Sequence, residues 1–345
     1  MILGLNALSH FLVDGVCLAA LFGAAQNGAD IAVAVLIYNT LAFSTQCLTG
    51  WWVDRPGLAK RLEPFSMLTV AAGYFLPGPL LARVILIGLG NSLVHVCGGR
   101  VTLKQSEGRA APLGLFVAPG ALGVLLGRSF PKLGSVLAAG LIVFAAAVYA
   151  AYRREEEKGV LGTQQTNVLR GALPDYRGSA FPLLAAALLT IAVGVRAIGG
   201  SCAEFTWNTG FPAAAAMTVC VFAGKAAGGF VCDRIGAAKS SVISIVPAAL
   251  LTAFLASNMP ASLLGQFLLN LSMPVTLWLL YKLMPDEPGF AFGLAASALW
   301  PGTLAGMMIK LSGSARVLLI LVSFVFGLAA VLYTVSYLKK GETRQ

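Results

Sequence analysis

Long apolar runs, separated by short polar stretches, follow one another along the whole chain. The length of each run is close to the roughly 20 residues that an α-helix needs to cross a bilayer, and is about twice that of a barrel strand. The pattern therefore predicts an all-α membrane protein with twelve transmembrane helices. The predicted segments are 3–25, 31–53, 64–81, 84–105, 112–129, 132–152, 180–201, 211–232, 239–257, 260–283, 289–311 and 315–338.

The longest polar stretch lies between the sixth and seventh segments and predicts a cytoplasmic central loop over 153–179. It divides the chain into two six-helix bundles, 1–152 and 180–345. Composition agrees, because only 11% of the residues are charged and 58% are hydrophobic, whereas a soluble domain usually carries about 25% charged residues. Lipid is therefore the expected solvent, and no length is left for a soluble domain.

Lysine and arginine are divided unevenly between the two sets of loops. Seventeen lie on the side that holds both termini and five on the other side, which predicts cytoplasmic termini by the positive-inside rule. The net charge of +10 is spread between apolar runs and does not indicate nucleic-acid binding. We expect a multi-pass monomer of the plasma membrane, whose scattered cysteines form neither a disulfide framework nor a zinc site.

Two motifs occur twice in the chain. The loops after segments 2 and 8 both read GxxxDRxG followed by a basic residue, with their aspartates 179 positions apart, and segments 5 and 11 both contain Pro-Gly, with the prolines 182 positions apart. Two different motifs repeated at nearly one spacing indicate two homologous halves, with a substrate site between them near the midplane. The residues are Gly50, Asp54, Arg55, Gly57, Gly229, Asp233, Arg234 and Gly236 in the loops, and Pro119, Gly120, Pro301 and Gly302 in the helices.

On these motifs the chain resembles the major facilitator superfamily over its whole length. The resemblance implies alternating access, with Asp54 against the positive N-terminal end of helix 11 as a latch on the cytoplasmic side. It also implies that the run from Gly114 to Gly123, which contains Pro119, is the helix 5 bend of the antiporters and exporters in that superfamily. The alternatives are a solvated turn with positive-inside arginines and an ordinary kinked helix.

The first and fourth segments are similar to those of the fosmidomycin-resistance branch of drug exporters. Segment 1 contains His10 and Asp14, and segment 4 contains a glycine-rich run that ends in His95. Val96 stands where that branch usually has proline. The substrate of that branch is therefore not carried over to this chain.

Polar side chains inside apolar segments are costly, which makes each one a candidate for the transport site. Asn6, His10 and Asp14 share one face of helix 1, and Asn91 and His95 lie one turn apart on helix 4. A charge on Asp14 near mid-bilayer is expensive, so we expect this residue to carry the coupling proton, with His10 and His95 assisting. The alternatives are helix-packing hydrogen bonds and a metal pair, for which these residues are weak evidence, so no metal is predicted.

The second half supplies further candidates for the same cavity. Arg196 needs a counter-charge, which either Glu204 or an anionic group of the substrate would provide. Lys225 would snorkel, pair with a carboxylate or bind substrate. Gln266 and Asn270 share a face of helix 10. The two cations favour an anionic or zwitterionic substrate.

These patterns together predict a secondary active transporter, specifically a proton-coupled antiporter that exports a small organic solute without a cofactor. The chain contains no GxSxG, P-loop or HExxH motif, so neither an enzyme nor an ATP-driven pump is indicated. The alternatives are an uptake symporter or facilitator for a small anion, metabolite or metal ion and, in another class, a non-transporting receptor or enzyme. The expected partners are the solute, protons and lipid.

Overall fold

The computed structural model describes residues 1–157 and 181–342, which form twelve helices, two of them interrupted once. Eleven of these helices are long and apolar enough to cross a membrane, so the predicted multi-span all-α architecture is confirmed. Most of the predicted central loop lies outside the described residues. The helices are α1 (Ile2–Gln26), α2 (Ala32–Val53), α3 (Leu58–Phe75), α4 (Leu80–Gln105), α5 (Ala111–Ser129), α6 (Gly134–Glu157), α7 (Phe181–Ser201), α8 (Gly210–Ile235), α9 (Ala237–Phe254), α10 (Met259–Leu283), α11 (Pro288–Met308) and α12 (Gly313–Glu342).

Helix α3 corrects the predicted third segment, which was placed at 64–81. The helix begins six residues earlier, at Leu58, and ends at Phe75. The prediction is wrong because Lys60, Arg61 and Glu63 occupy the first two turns and hide the start of the helix from an apolar pattern. The helix ends early because Pro77 and Pro79, just beyond it, do not continue a helical ladder.

The two halves meet mainly through α2 against α11 and α5 against α8. We call the end of the bundle that carries Asp54 and Asp233 the motif end. The turns that follow these aspartates contain Gly57 and Gly236, whose φ angles are +74° and +84°. Backbone of this hand favours glycine, which accounts for the last position of both GxxxDRxG motifs.

Helices α2 and α5 are interrupted near the middle of the bundle. Helix α2 contains a π-helical turn at Thr40–Ser44, and α5 breaks at Ala118, where Pro119 removes a backbone donor. Turns of the π type in otherwise regular helices are frequent at functional sites. Both interruptions lie beside the cavity between the two halves.

Candidate transport site

A cavity of about 450 Å³ lies between the two halves of the bundle. Four helices of each half line it, namely α1, α2, α4 and α5 on one side and α7, α8, α10 and α11 on the other. It extends from mid-bundle away from the motif end, as far as Ser201 and Thr303. Its polar lining residues are His10, Asp14, Gln46, His95, Arg196, Ser201, Lys225, Gln266, Asn270, Ser272, Thr276 and Thr303.

His10, Asp14 and His95 meet on the first-half wall of the cavity. The Nε2 atoms of the two histidines are 2.7 Å apart. The carboxylate of Asp14 lies 3.3 Å from Nε2 of His10 and 3.6 Å from Nε2 of His95. All three residues are less than a tenth exposed. We call these three residues the His–Asp–His cluster.

The hydrogen bonds of the two imidazole rings determine which nitrogen carries a hydrogen. Nδ1 of His10 is 2.9 Å from the carbonyl oxygen of Phe116, and Nδ1 of His95 is 2.9 Å from that of Asn91. A carbonyl oxygen only accepts, so each Nδ1 is a donor and each Nε2 of a neutral ring presents a lone pair. Two lone pairs at hydrogen-bond distance require one proton between them. The geometry of the cluster therefore suits a single shared proton, with Asp14 as its counter-charge.

A divalent transition metal is the other cation that two imidazoles and a carboxylate suit by ligand type. In a tetrahedral zinc site with bonds of 2.0–2.1 Å, neighbouring ligand atoms are about 3.3 Å apart. The distances from Asp14 to the two rings are close to this value, but the 2.7 Å between the ring nitrogens is too short. The cluster as it stands therefore fits a shared proton better than a metal ion.

Asn91 lies behind the cluster, fully buried, rather than on the cavity wall. Its side-chain amide donates to Oδ1 of Asp14 at 2.9 Å and to the hydroxyl oxygen of Tyr38 at 3.1 Å. These contacts fix the orientation of the Asp14 carboxylate toward the histidines. Of the i, i+4 pair that the sequence indicated on helix 4, His95 thus belongs to the cluster, and Asn91 holds the Asp14 carboxylate in place by a hydrogen bond.

The Pro119-Gly120 run of α5 packs directly against the cluster. A Cβ atom at Gly120 would overlap both the His10 ring and the Asp14 carboxylate, and one at Gly123 would overlap the carbonyl oxygen of Phe11. In the second half, a Cβ at Gly302, beside Pro301, would overlap the carbonyl oxygen of Gly194 on α7. In α5, Gly120 thus leaves space for the His10 and Asp14 side chains, while Pro119 accounts for the break in the helix.

Replacement of Gly120 by alanine is expected to lower the free energy of unfolding by about 1–3 kcal/mol, the usual cost of overpacking a core. The same change is expected to push the His10 ring and the Asp14 carboxylate out of their present positions. Chemical denaturation of the purified protein measures the first effect. Gly140→Ala on α6, where an added Cβ meets nothing within 4 Å, is the matched control, and equal stability of the two variants would contradict the packing argument.

Arg196 of α7 lines the cavity, and no carboxylate among the described residues forms a salt bridge with it. It donates to Oγ of Ser272 at 2.7 Å and to Oγ1 of Thr276 at 3.2 Å, both on α10. Its Nε atom is buried without a hydrogen-bond acceptor among the described residues. A buried guanidinium held by hydroxyl groups alone has unused capacity for an anion, which it binds in a bidentate manner.

Lys225 of α8 is the second cation on the cavity wall. It lies in the electrostatic field of Asp14, and in the described part of the chain no carboxylate is within salt-bridge distance of it. Gln266 and Asn270 also line the cavity, and the Asn270 amide donates back to the Gln266 carbonyl at 2.8 Å. Two fixed cations against one carboxylate make the cavity electropositive.

Besides Asn91, two predicted cavity residues lie away from the cavity wall. Glu204 follows the end of α7 at Ser201, is exposed, and forms a salt bridge with Arg316 of α12, so it is not the partner of Arg196. The prediction assumed that Arg196 and Glu204 share a helical face, but Glu204 lies in the loop beyond α7. Asn6 is fully buried below the cavity, where its side-chain amide, oriented to donate, is 3.2 Å from Oε1 of Glu63.

The two GxxxDRxG aspartates make equivalent contacts at the motif end. Asp54 accepts from the backbone N–H groups of Gly289 and Phe290, both at 2.8 Å, at the start of α11. Asp233 accepts from Ala110 at 2.7 Å and Ala111 at 3.0 Å, at the start of α5. A carboxylate at the N-terminal end of a helix is favoured by the partial positive charge there. Each contact joins one half of the protein to the other.

The other motif residues divide into packing positions and solvated positions. A Cβ at Gly50 would overlap the carbonyl of Gly289, and one at Gly229 would overlap the carbonyl of Ala110, so glycine permits both close approaches. Arg55 and Arg234 are exposed, and Arg55 lies over the Trp51 ring. The indole of Trp278 adds a third contact between the halves at this end, donating to the carbonyl of Gly108 at 2.6 Å.

Three polar residues of this region were not predicted from the sequence. Arg100 of α4, rather than a motif arginine, pairs with Asp54 at 3.0 Å. Gln46 of α2 lines the cavity. Glu63 of α3 is fully buried. Arg100 and Gln46 could have been found as polar residues inside predicted apolar segments, whereas Glu63 lay just outside the predicted third segment.

Comparison with solved structures supports the fold. No protein-family model matches the chain, and no curated protein matches it in sequence. A solved structure of a bacterial homologue of the iron transporter ferroportin in the outward-facing state is 15% identical, with a TM-score of 0.62, and the match covers 99% of this chain and 100% of that one. The chain has a major-facilitator-type fold.

Two further solved structures agree with this facilitator-type fold. The E. coli fucose:proton symporter FucP, in a variant form, is 12% identical with a TM-score of 0.61, over 96% of this chain and 97% of that chain. FucP in the outward conformation, described as a major facilitator superfamily transporter, is also 12% identical with a TM-score of 0.58, over 94% and 98%. At these identities the likeness concerns the facilitator-type fold and not the substrate.

Proposed function

We propose that this protein is a secondary active transporter that works by alternating access and couples a small organic anion or zwitterion to protons. One observation carries the proposal. The cavity between the halves holds the His–Asp–His cluster on one wall and two basic residues, Arg196 and Lys225, on the opposite side. A site that joins a titratable group to a charged solute in one cavity is what ion-coupled transport requires.

The motif end is proposed to be the cytoplasmic side, as the positive-inside bias predicts. Both aspartate contacts are closed there, while the cavity extends toward the opposite end. This arrangement corresponds to an outward-facing state, the state named for two of the structurally similar transporters. Opening these contacts and closing the far end would expose the same cluster to the cytoplasm.

The charges of the cavity favour a particular sign of coupling. A proton on the cluster increases the positive charge of the cavity, so an organic anion and the proton strengthen each other's binding. When the anion and the proton strengthen each other's binding, both are expected to cross the membrane in the same direction, as in an uptake symporter. The second candidate is the exporting antiporter, which the Pro119-Gly120 run of α5 favours. Exchange would follow if a zwitterion placed its ammonium group beside Asp14 and displaced the proton.

Ligand-induced stabilisation distinguishes these two candidates. Purified protein is screened by thermal shift against carboxylates, sugar phosphates and amino acids, because a ligand that binds the folded state raises the unfolding temperature. We expect the shift for the best anion to be larger at about pH 6 than at about pH 8, because a proton on the cluster adds positive charge to the cavity. A shift that shrinks over the same interval would support exchange. A panel in which no charged compound stabilises the protein at either pH would contradict the proposed substrate class.

Arg196→Gln is expected to weaken binding of the stabilising anion by about tenfold or more, because a charge-assisted hydrogen bond contributes about 1.5–3 kcal/mol. The measurement is the concentration of anion that gives half of the maximal thermal shift. Arg128→Gln, at an arginine that lies over the Phe22 ring outside the cavity, is the control. Equal affinities of the two variants would remove Arg196 from the anion site.

A further inference from the structure

Glu63 is a second buried carboxylate in the first half, and its surroundings differ from those of Asp14. It lies on α3, fully buried, between α1, α4 and α6. The hydroxyl of Tyr152 donates to one of its oxygens, and the Asn6 amide is 3.2 Å from the other. Within residues 1–157 and 181–342, no histidine, lysine or arginine nitrogen lies within salt-bridge distance of it. An ionised carboxylate is costly to bury without a cation, whereas a protonated one needs only hydrogen bonds.

The position of Glu63 relates it to the cluster. Asn6, its neighbour on α1, is one turn from His10 and two turns from Asp14, so Glu63 lies about 12 Å from Asp14 along the helix, toward the motif end. Phe116 contacts the His10 ring, with 5.1 Å between ring centroids, and fills the space beside Gly98 next to Glu63. The two carboxylates are therefore separate sites, one facing the cavity and one facing the closed end.

The nearest titratable groups are Tyr152 on α6 and Cys97 on α4. Arg100 is one turn beyond Cys97 on α4, where it pairs with Asp54 at 3.0 Å. Asp54 is also the residue that accepts from the start of α11. Opening the motif end would break this contact between α2 and α11 and let water reach this part of α3.

We propose that Glu63 is a second proton-binding site, which holds its proton while the motif end is closed and exchanges it with that side when the end opens. The proposal rests on the proton-coupled function argued above. In the step that opening permits, the carboxylic acid releases H⁺ to water, and the water that enters solvates the resulting carboxylate. Return of a proton from the same side, or from the cluster, restores the neutral acid before the end closes again.

Infrared spectroscopy of the lipid-reconstituted protein tests this assignment without any transported solute. At neutral pH we expect the carbonyl band of a protonated carboxylic acid in the wild type and in Asp14→Asn, and its loss in Glu63→Gln, which keeps the shape of the side chain and one hydrogen-bond acceptor. Tyr152→Phe retains the acid but removes a hydrogen-bond partner, so the band should persist at a shifted frequency. A Glu63→Gln spectrum identical to that of the wild type, or an unshifted band in Tyr152→Phe, would overturn the assignment.

Exchange in D₂O tests the link to opening. In the double variant Asp54→Asn/Asp233→Asn, the deuterium shift of the Glu63 band should be faster by about tenfold or more, since local opening controls exchange. Equal exchange in the closed and released proteins would refute this role. Because no solute is used, such a failure concerns Glu63 alone, whereas failure of the transport proposal is read from Asp14→Asn in a transport assay.

Discussion

Replacement of Asp14 by asparagine should reduce pH-gradient-driven solute movement in proteoliposomes to the level of protein-free vesicles. Asparagine keeps the shape of the side chain and an acceptor for the Asn91 amide, which donates to Oδ1 of Asp14 at 2.9 Å. It removes the negative charge that stabilises a proton between the two histidines, 3.3 and 3.6 Å away. Without that counter-charge, a buried imidazolium is too costly to form.

The matched control for this prediction is Glu204→Gln. It makes the same carboxylate-to-amide change at an exposed residue that pairs with Arg316 outside the cavity. This variant should retain gradient-driven movement, while Asp14→Asn should still bind the anion found by thermal shift. Full gradient-driven transport by Asp14→Asn would mean that Asp14 does not carry the coupling proton.

The double substitution Asp54→Asn/Asp233→Asn should release the motif end. Each aspartate accepts two backbone N–H bonds across the interface between the halves, and Asp54 also pairs with Arg100. Hydrogen bonds to charged groups contribute about 1.5–3 kcal/mol, so each loss shifts the balance between closed and open by about tenfold or more. Hydrogen–deuterium exchange of the amides at the starts of α5 and α11 measures the opening.

Asp30→Asn is the control for this second prediction. Asp30 also accepts from a helix-start amide, that of Ala32 at 2.9 Å, but in the exposed α1–α2 connection at the opposite end. Motif-end exchange in this variant should match the wild type, and each single latch variant should fall between the wild type and the double variant. Unchanged exchange at Gly289 and Ala111 in the double variant would show that these aspartates do not hold the end closed.

The sequence made the helical architecture and the repeated motifs predictable because both depend on local pattern. Apolar length alone located eleven spans, and the equal spacing of Asp54 and Asp233 indicated equivalent positions before any contact was known. The convergence of His10 and His95 was less accessible, since it depends on how α1 and α4 pack. It was predictable only through the resemblance and the rarity of histidine in the chain.

The residues that sequence reasoning misplaced show where such patterns fail. Glu63 was missed because three charged residues in two turns resemble a loop, although the fold buries one of them completely. Glu204 was assigned to the cavity by helical spacing, but α7 ends at Ser201 and the spacing no longer applies. Arg100 lay within a predicted segment, but its pairing with Asp54, 46 positions away, depends on the packing of α4 at the motif end and could not be read from the sequence.

The most direct test of the central claim is nitrogen NMR of the reconstituted protein labelled at histidine, with any affinity tag removed. The chain has only two histidines, so every imidazole signal belongs to the cluster. We expect both rings to carry hydrogen on Nδ1 and to share one proton between their Nε2 atoms, so that they titrate as one unit. In Asp14→Asn this coupling between the rings should be lost. Two rings that titrate independently, or that carry hydrogen on Nε2 in their neutral forms, would contradict the central claim.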